Sequence, residues 1–353
     1  MNKIELLESL SNLHGAPGHE HEVIEFIKDN MKDFNCKRDS INNLYIRNPK
    51  ESNKVKVVLD CHSDEVGFIV EGIKENGTIT FLPLGGWHIT NIPAHSVIIK
   101  NFKNEHIKGV VSSKPPHFMT AEEKQRLPKM EELVIDIGTS SYKETTELYG
   151  IEVGNPITPD VLFSYDKKID VVRGKAFDNR LGCAIVMEIL KEVDFDKLDV
   201  NPIGVISSQE EVGLRGAQVA ANKIKPDFAI IFEGSPADDT FKDSFSSKGA
   251  IGKGIQLRVL DAGMVSNPKV QEFVKNIAKK NNIPYQVIAR SGGSTNGGKY
   301  HIAEKSIPTV VIGIPTRYIH THYTYASVKD YKDAIVLGKR LLEELTEETI
   351  KNF

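Results

Sequence analysis

Apolar positions recur along this chain with the spacing first of helices and then of strands. Ile4, Leu6, Leu7, Leu10 and Leu13 share one helical face, the turn "GAPGHE" follows, and "HEVIEFIKDNM" resumes the helical pattern. Short unbroken apolar runs come next: "VKVVLDC" at 55–61, "IGVISS" at 203–208, "FAIIF" at 228–232 and "TVVIGI" at 309–314. Helical patterns at 179–194, 268–281 and 328–348 lie between or after the later runs. Such runs are apolar on both faces. Alternating with helices, they predict an α/β fold in which a mostly parallel sheet is flanked by helices.

Residues 68–165 read differently. "FIVEGIKENGTITFLPLGG" carries an Asn-Gly turn between alternating apolar positions, and "HSVIIKN", "HIKGVVSS" and "ELVIDIG" add short strands with little helix. This predicts a β-rich domain at 68–165 inserted into an α/β domain made of 1–67 plus 166–353. The polar stretch "KPPHFMTAEEKQRLPKM" is expected to be an exposed loop with at most a short helix.

Composition narrows the function classes. At 353 residues, 40% hydrophobic and 26% charged, the chain can bury a sizeable core. A formal net charge of −3 gives no basic field for nucleic acid or an anionic membrane, so neither is expected as a partner. No apolar stretch approaches the roughly 20 residues that span a bilayer, and "MNKIELLESLSNLHG" lacks the apolar block of a signal peptide. A cytoplasmic location is the expectation. Cys36, Cys61 and Cys183, odd in number and irregularly spaced, are expected to be reduced.

Candidate metal ligands collect at strand ends. His62 and Asp64 follow the first core run, Glu210 and Glu211 the second, Glu233 the third and His320 the fourth. Open α/β sheets bind ligands outside the carboxyl ends of their strands, so these groups converge on one crevice. Asp178, just before the 179–194 helix, is both a candidate ligand and a good N-cap; His322 competes with His320 by spacing. Imidazole and carboxylate suit two zinc-like ions, and an aspartate can bridge such a pair. Two divalent ions bring +4 against the −3 of Asp178, Glu211 and Glu233. Asp64 is expected to fix the tautomer of His62. Adjacent residues of a strand point to opposite faces, so Glu210 and Glu211 can both reach the crevice only where the backbone leaves the pleat. Glu211 is then expected to hold metal while Glu210 exchanges protons with the attacking water.

"CHSDEVG", "KAFDNRLGC", "SQEEVGLRGA", "FEGSPADD", "SGGSTNGGKYH" and "PTRYIHTH" stand in the order and spacing of the tetrahedral, or dodecameric, di-metal aminopeptidases, also known as glutamyl or deblocking aminopeptidases or endoglucanase M. The resemblance covers essentially the whole chain, "GAPGHE" and "SKPPH" included. It implies His62 and Glu233 on one metal, Glu211 and His320 on the other, and Asp178 as the bridge. It also implies Glu210 as general base, with Asp64 as the catalytic companion that supports His62. The implied fold is a zinc-peptidase, phosphorylase/hydrolase-like α/β domain with an inserted β-barrel, PDZ-like dimerisation domain. The implied assembly is a homododecamer built from dimers. The implied reaction releases N-terminal residues from short peptides with a free amino terminus, using two divalent ions per subunit: zinc first, cobalt or manganese as alternatives. The chain departs from the family at Glu233, where many relatives carry aspartate, and at Asn296, where an acidic residue is common.

Two other reaction classes compete. A metal-dependent deacylase would cut an amide in a non-peptide substrate. A glycoside hydrolase would also use two carboxyls, but these must flank a sugar bond at about 5–9.5 Å, which adjacent glutamates fit badly.

Overall fold

The computed structural model describes residues 1–50, 52–304 and 306–353. Four strands form the heart of its larger sheet: β1 (Lys56–His62), β2 (Asn201–Ser207), β3 (Phe228–Ala237) and β4 (Thr309–Arg317). They lie in the order β2, β1, β3, β4, all parallel. Their side chains are buried on both faces, as the unbroken apolar runs require. Antiparallel strands complete the sheet. Leu44–Arg47 pairs with β2, while Thr324–Ser327 and Ile255–Leu260 pair with β4, so the whole is mixed around a parallel centre.

One face is covered by Lys3–Asn12, Phe177–Glu192 and Val328–Glu344, which bury Leu7, Leu10, Leu181, Ile185, Leu337 and Leu341 against it. The other face carries Arg215–Ile224 and the short helix Gly297–His301, with Ala217, Ala220 and Tyr300 against Val58, Val205 and Ile231. Among the described residues no helix is long and apolar enough to cross a membrane.

Strand β3 is longer than its apolar run. It pairs with β4 in unbroken register from Ala229↔Thr309 to Ala237↔Arg317, so Glu233 lies inside the strand and not after it. Hydrogen bonding to β4 overrides the change of composition at Glu233.

Six short strands between Gly67 and Pro159 close into a barrel, in the order Gly67–Ile73, Ile79–Leu84, Ile135–Asp136, His106–Val111, Ser96–Lys100, Pro156–Pro159. Phe68, Val70, Phe81, Val97, Ile99 and Ile157 fill it. The Asn-Gly signal is a turn: Gly77 has φ +86°, a conformation that costs glycine little, and Lys74 N–H donates to the Thr78 carbonyl at 2.8 Å. Closure leaves these strands few free edges.

Where the chain passes between barrel and sheet, a buried ionic cluster joins the parts. Lys175 Nζ lies 2.6 Å from Glu65 Oε1, and Arg180 Nη2 is 3.2 Å from the same oxygen. Arg180 Nε donates to the Ser63 carbonyl at 2.8 Å, and Glu65 N–H to the Gly15 carbonyl at 2.9 Å. Truncating one partner of such a cluster leaves a buried charge, which typically costs about 3–5 kcal/mol.

Candidate metal centre

His62 is the last residue of β1 and is 1% exposed. Its Nδ1 is 3.1 Å from the Asp64 carbonyl oxygen, closer than the 3.4 Å to the Asp64 carboxylate. The Asp64 backbone, more than its side chain, therefore fixes the ring and leaves Nε2 facing the crevice. There Nε2 meets Asp178 Oδ1 at 3.0 Å, Glu233 Oε1 at 3.2 Å and Glu210 Oε2 at 3.9 Å.

The Asp64 carboxylate has another task, and it explains the paired glutamates. Its Oδ1 accepts the Glu210 amide and its Oδ2 the Glu211 amide, each at 3.0 Å. Just before them Gln209 takes a left-handed φ of +53°, and its amide donates to Glu20 Oε1 at 3.1 Å. Two buried carboxylates thus hold three consecutive amides as the chain leaves β2. The pleat ends there, and both glutamates line the same crevice.

Asp178 is not the cap of its helix. Residues 178 and 179 are non-helical, and the Asn179 side chain accepts the Gly182 amide at 3.0 Å while donating to the Phe232 carbonyl at 2.8 Å. Asn179 does the capping. Asp178 is left to point across the crevice, Oδ1 towards His62 and Oδ2 3.6 Å from His320 Nε2. Gly234 is required opposite it, since any Cβ there would stand 2.6 Å from Asp178 Cα.

His320 Nε2 is also 3.4 Å from Glu211 Oε2. Its Nδ1 is 2.8 Å from the carbonyl oxygen of Gly86, which follows the second barrel strand, so the barrel domain orients this ring. His322 lies elsewhere. It stacks on His95 at 4.0 Å and packs against Trp87, and burial together with His95 pushes its pKa down to about 3. Spacing left the two histidines equal; packing separates them.

Burial raises the pKa of Glu211 and of Glu233 to about 8, and that of Glu210 well above the carboxylate range. Burial opposes ionisation of Asp178 too, but hydrogen bonds from His320 and His62 outweigh it and hold its carboxyl down. Burial would lower His320, yet Asp178 and Glu211 lift it to about 9; His62 is raised against its burial by Glu210 and Glu233. These carboxylates share too little positive charge. One oxygen on each of Glu211 and Glu233 is buried without a hydrogen-bond partner. Ligand atoms of His62, Glu210 and Glu233, and of His62, Asp178 and Glu211, approach within 4.8 Å of one another. Imidazole nitrogen, carboxylate oxygen and unused lone pairs are the donor set that divalent zinc-like cations take.

Asn296 does not face this crevice. It is fully buried and donates to Asp60 Oδ1 at 2.6 Å and Ser207 Oγ at 2.7 Å, while Tyr300 Oη donates to Asp60 Oδ2 at 2.8 Å. Burial pushes Asp60 up to about 7, opposed by Tyr300 and Asn296. An amide serves here because an aspartate would set a second carboxylate against Asp60. Glu20 and Gly86 were not singled out in the sequence. "GAPGHE" and "LPLGGWH" contain them, but no local pattern reports their partners at 209 and 320.

The family described as M42 glutamyl aminopeptidase matches residues 42–337. The chain is 30% identical to the lysyl aminopeptidase of Pyrococcus furiosus over 97% of both chains. Its fold is similar to the TET aminopeptidase of a marine sediment archaeon of the Thaumarchaeota, with a TM-score of 0.94 and 35% identity over 99% of each chain. It is also similar to the TET1 peptidase of Pyrococcus horikoshii, which can assemble into a tetrahedron or a large octahedral shell. That likeness has a TM-score of 0.87 at 26% identity and covers 98% of this chain and 100% of the other.

Proposed function

The chain belongs to the M42 glutamyl aminopeptidase family and is a metal-dependent aminopeptidase, and on that premise we propose how its residues divide the work. His62 and Glu233 hold one divalent cation, Glu211 and His320 hold a second, and Asp178 bridges them. The observation that carries this reading is that the two oxygens of Asp178 face two different imidazoles. The unpartnered oxygens of Glu211 and Glu233 support it. Nitrogen and oxygen donors suit zinc, with cobalt or manganese as alternatives.

When bound, such a pair supplies Lewis acidity for the scissile carbonyl and lowers the pKa of water. The protein's own groups do the rest. Glu210 takes the proton of the attacking water and returns it to the leaving nitrogen. Asp64 and Glu20 act through it as positioning residues, by holding the amides at 209–211. Gly86 positions His320 in the same indirect way.

The substrate is a short peptide with a free amino terminus, whose cationic α-amine meets the carboxylates that crowd the crevice. An acetyl cap removes that charge and the register it sets. An unblocked tripeptide should therefore lose residues singly from its amino end, at least about 100-fold faster than its N-acetyl form is cut, a difference of about 2.7 kcal/mol. Mass spectrometry of a time course on the pair tests this. Internal cleavage of the capped peptide at a comparable rate would exclude exopeptidase action and favour a deacylase of broader scope.

The assembly follows the TET relatives: a homo-oligomer, most simply a dodecamer built from six dimers, with the barrel joining each dimer. Phe118 in the barrel's polar loop is 73% exposed, and Phe241 and Phe245, in the loop after β3, are 74% and 100% exposed, apolar side chains that contacts between copies would cover. Light scattering at micromolar concentration should give a multiple of the chain mass. A fully active monomer would show that assembly is dispensable.

A further inference from the structure

One wall of the crevice that holds the candidate metal ligands, a cavity of about 630 Å³, is the glycine-rich loop 292–295. Little holds that loop where it faces the cavity. Residues 291–294 are exposed, a Cβ on Gly292 or Gly293 would meet nothing within 4 Å, and Gly293 takes a left-handed φ of +74°. Among the described residues, 291–294 make one hydrogen bond to the rest of the chain, from the Ala262 amide to the Gly293 carbonyl at 2.9 Å. An exposed segment with so few contacts keeps one position only if the chain beside it is fixed.

The fixed point is Asn296, fully buried at the loop's end. Both hydrogens of its side-chain nitrogen are used: Nδ2 donates to Asp60 Oδ1 at 2.6 Å and to Ser207 Oγ at 2.7 Å. Ser207 accepts because its own hydroxyl donates to the Cys61 carbonyl at 2.9 Å. Asp60 lies on β1 just before His62, and Ser207 ends β2 directly opposite His62 in the parallel register. Glu210 and Glu211 leave β2 soon after Ser207. One amide thus ties the loop to both strands whose ends carry these crevice groups. The other end of the same amide tells against a purely structural role. Asn296 Oδ1 is buried without a partner, which costs stability, so the position is built around the donor and not around packing.

We infer that Asn296 is a positioning residue for the substrate: it fixes the 292–295 wall relative to the metal ligands, so that the crevice is already shaped when the substrate arrives. The inference rests on the aminopeptidase reading for the nature of that substrate. Asn296 acts through the loop and touches no reacting atom. Glu210 and the candidate ligands are held by other bonds, so losing Asn296 weakens substrate binding and leaves the chemical step in place. The competing role is that Asn296 merely satisfies the buried Asp60 carboxylate. Tyr300 separates the two readings. Its Oη donates to Asp60 Oδ2 at 2.8 Å from an equally buried position, yet it lies beyond the loop, on the short helix Gly297–His301.

The test compares Asn296→Ala with Tyr300→Phe in the metal-loaded full chain. The p-nitroanilides of leucine, glutamate and lysine are screened with the wild type, and the best of the three is used throughout. Each variant deletes a buried hydrogen bond to Asp60, so both should lower the unfolding temperature. Only Asn296→Ala should raise KM, by at least about tenfold, the scale of a lost hydrogen bond to a charged group, with kcat and metal content nearly unchanged. Tyr300→Phe should keep KM within about threefold of wild type. Hydrogen exchange followed by mass spectrometry supplies a readout that needs no turnover: segments spanning 290–297 should exchange at least about tenfold faster in Asn296→Ala and not in Tyr300→Phe. An unchanged KM in Asn296→Ala would overturn the positioning role, and so would an equal rise in both variants, which is what support of Asp60 alone requires. A loss confined to kcat or to metal content would overturn it as well. If Asn296→Ala does not fold, Asn296→Ser is read against the same thresholds, and failure of both to fold makes Asn296 a core residue and overturns the inference. Should the wild type turn over none of the three substrates, the aminopeptidase reading fails, and the exchange measurement decides the anchoring by itself, equal rates in the two variants overturning it.

Discussion

In Glu210→Gln, both cations should remain bound while turnover falls by about 100- to 10,000-fold, the usual scale for a lost general base. The substitution is nearly isosteric, and the residue's amide stays anchored on Asp64, so the loop has no reason to move. The side chain stands 3.9 Å from His62 Nε2, farther than Asp178 at 3.0 Å or Glu233 at 3.2 Å, as suits a group that faces the water and not the ion. Glu211→Gln should behave differently. Its Oε2 lies 3.4 Å from His320 and its Oε1 is free of partners, so the amide should weaken binding of one cation and lower activity in a way that added metal partly restores. Elemental analysis beside single-turnover rates separates the two variants. If Glu210→Gln loses metal and Glu211→Gln does not, their roles are exchanged.

The sheet and the residues around the crevice were legible in the sequence to different depths. Strands β1 to β4 were visible because burial on both faces forces unbroken apolar runs, and the barrel because alternating residues flank an Asn-Gly turn. What could not be read was whatever depends on partners distant in the chain. Glu233 ends an apolar run, yet pairing with β4 carries the strand past it to Ala237. Asp178 has the composition of a cap, but Asn179 displaced it by reaching the Gly182 amide. Asp64 was expected to serve His62 through its carboxylate, and the nearer contact is its carbonyl. Glu20 and Gly86 sit 189 and 234 positions from the residues they hold, a separation over which no local pattern carries information. His320 and His322 are indistinguishable by spacing, and only the stack of His322 on His95 separates them.

Replacing Asp178 by asparagine should be more damaging than removing either terminal ligand, with activity lost beyond the general-base scale of about 10,000-fold. Each of its oxygens faces a separate imidazole, so one substitution alters both halves of the centre, whereas Glu233 or His320 serves only one. Asparagine keeps the size but offers one weak donor oxygen and no charge. The −3 of Asp178, Glu211 and Glu233 then becomes −2 against two divalent ions, which favours loss of a cation. The fold should survive, because the helix Phe177–Glu192 is capped by Asn179 and the chain at Ser63–Glu65 is held independently by Arg180 and Lys175. Unchanged thermal unfolding of the metal-free proteins, together with a lower metal content after saturation, would therefore locate the defect in the bridge. If Asp178→Asn instead binds its full complement and retains more than about a hundredth of the activity, the bridging assignment fails, and the centre must be held through Glu210 and the terminal ligands alone.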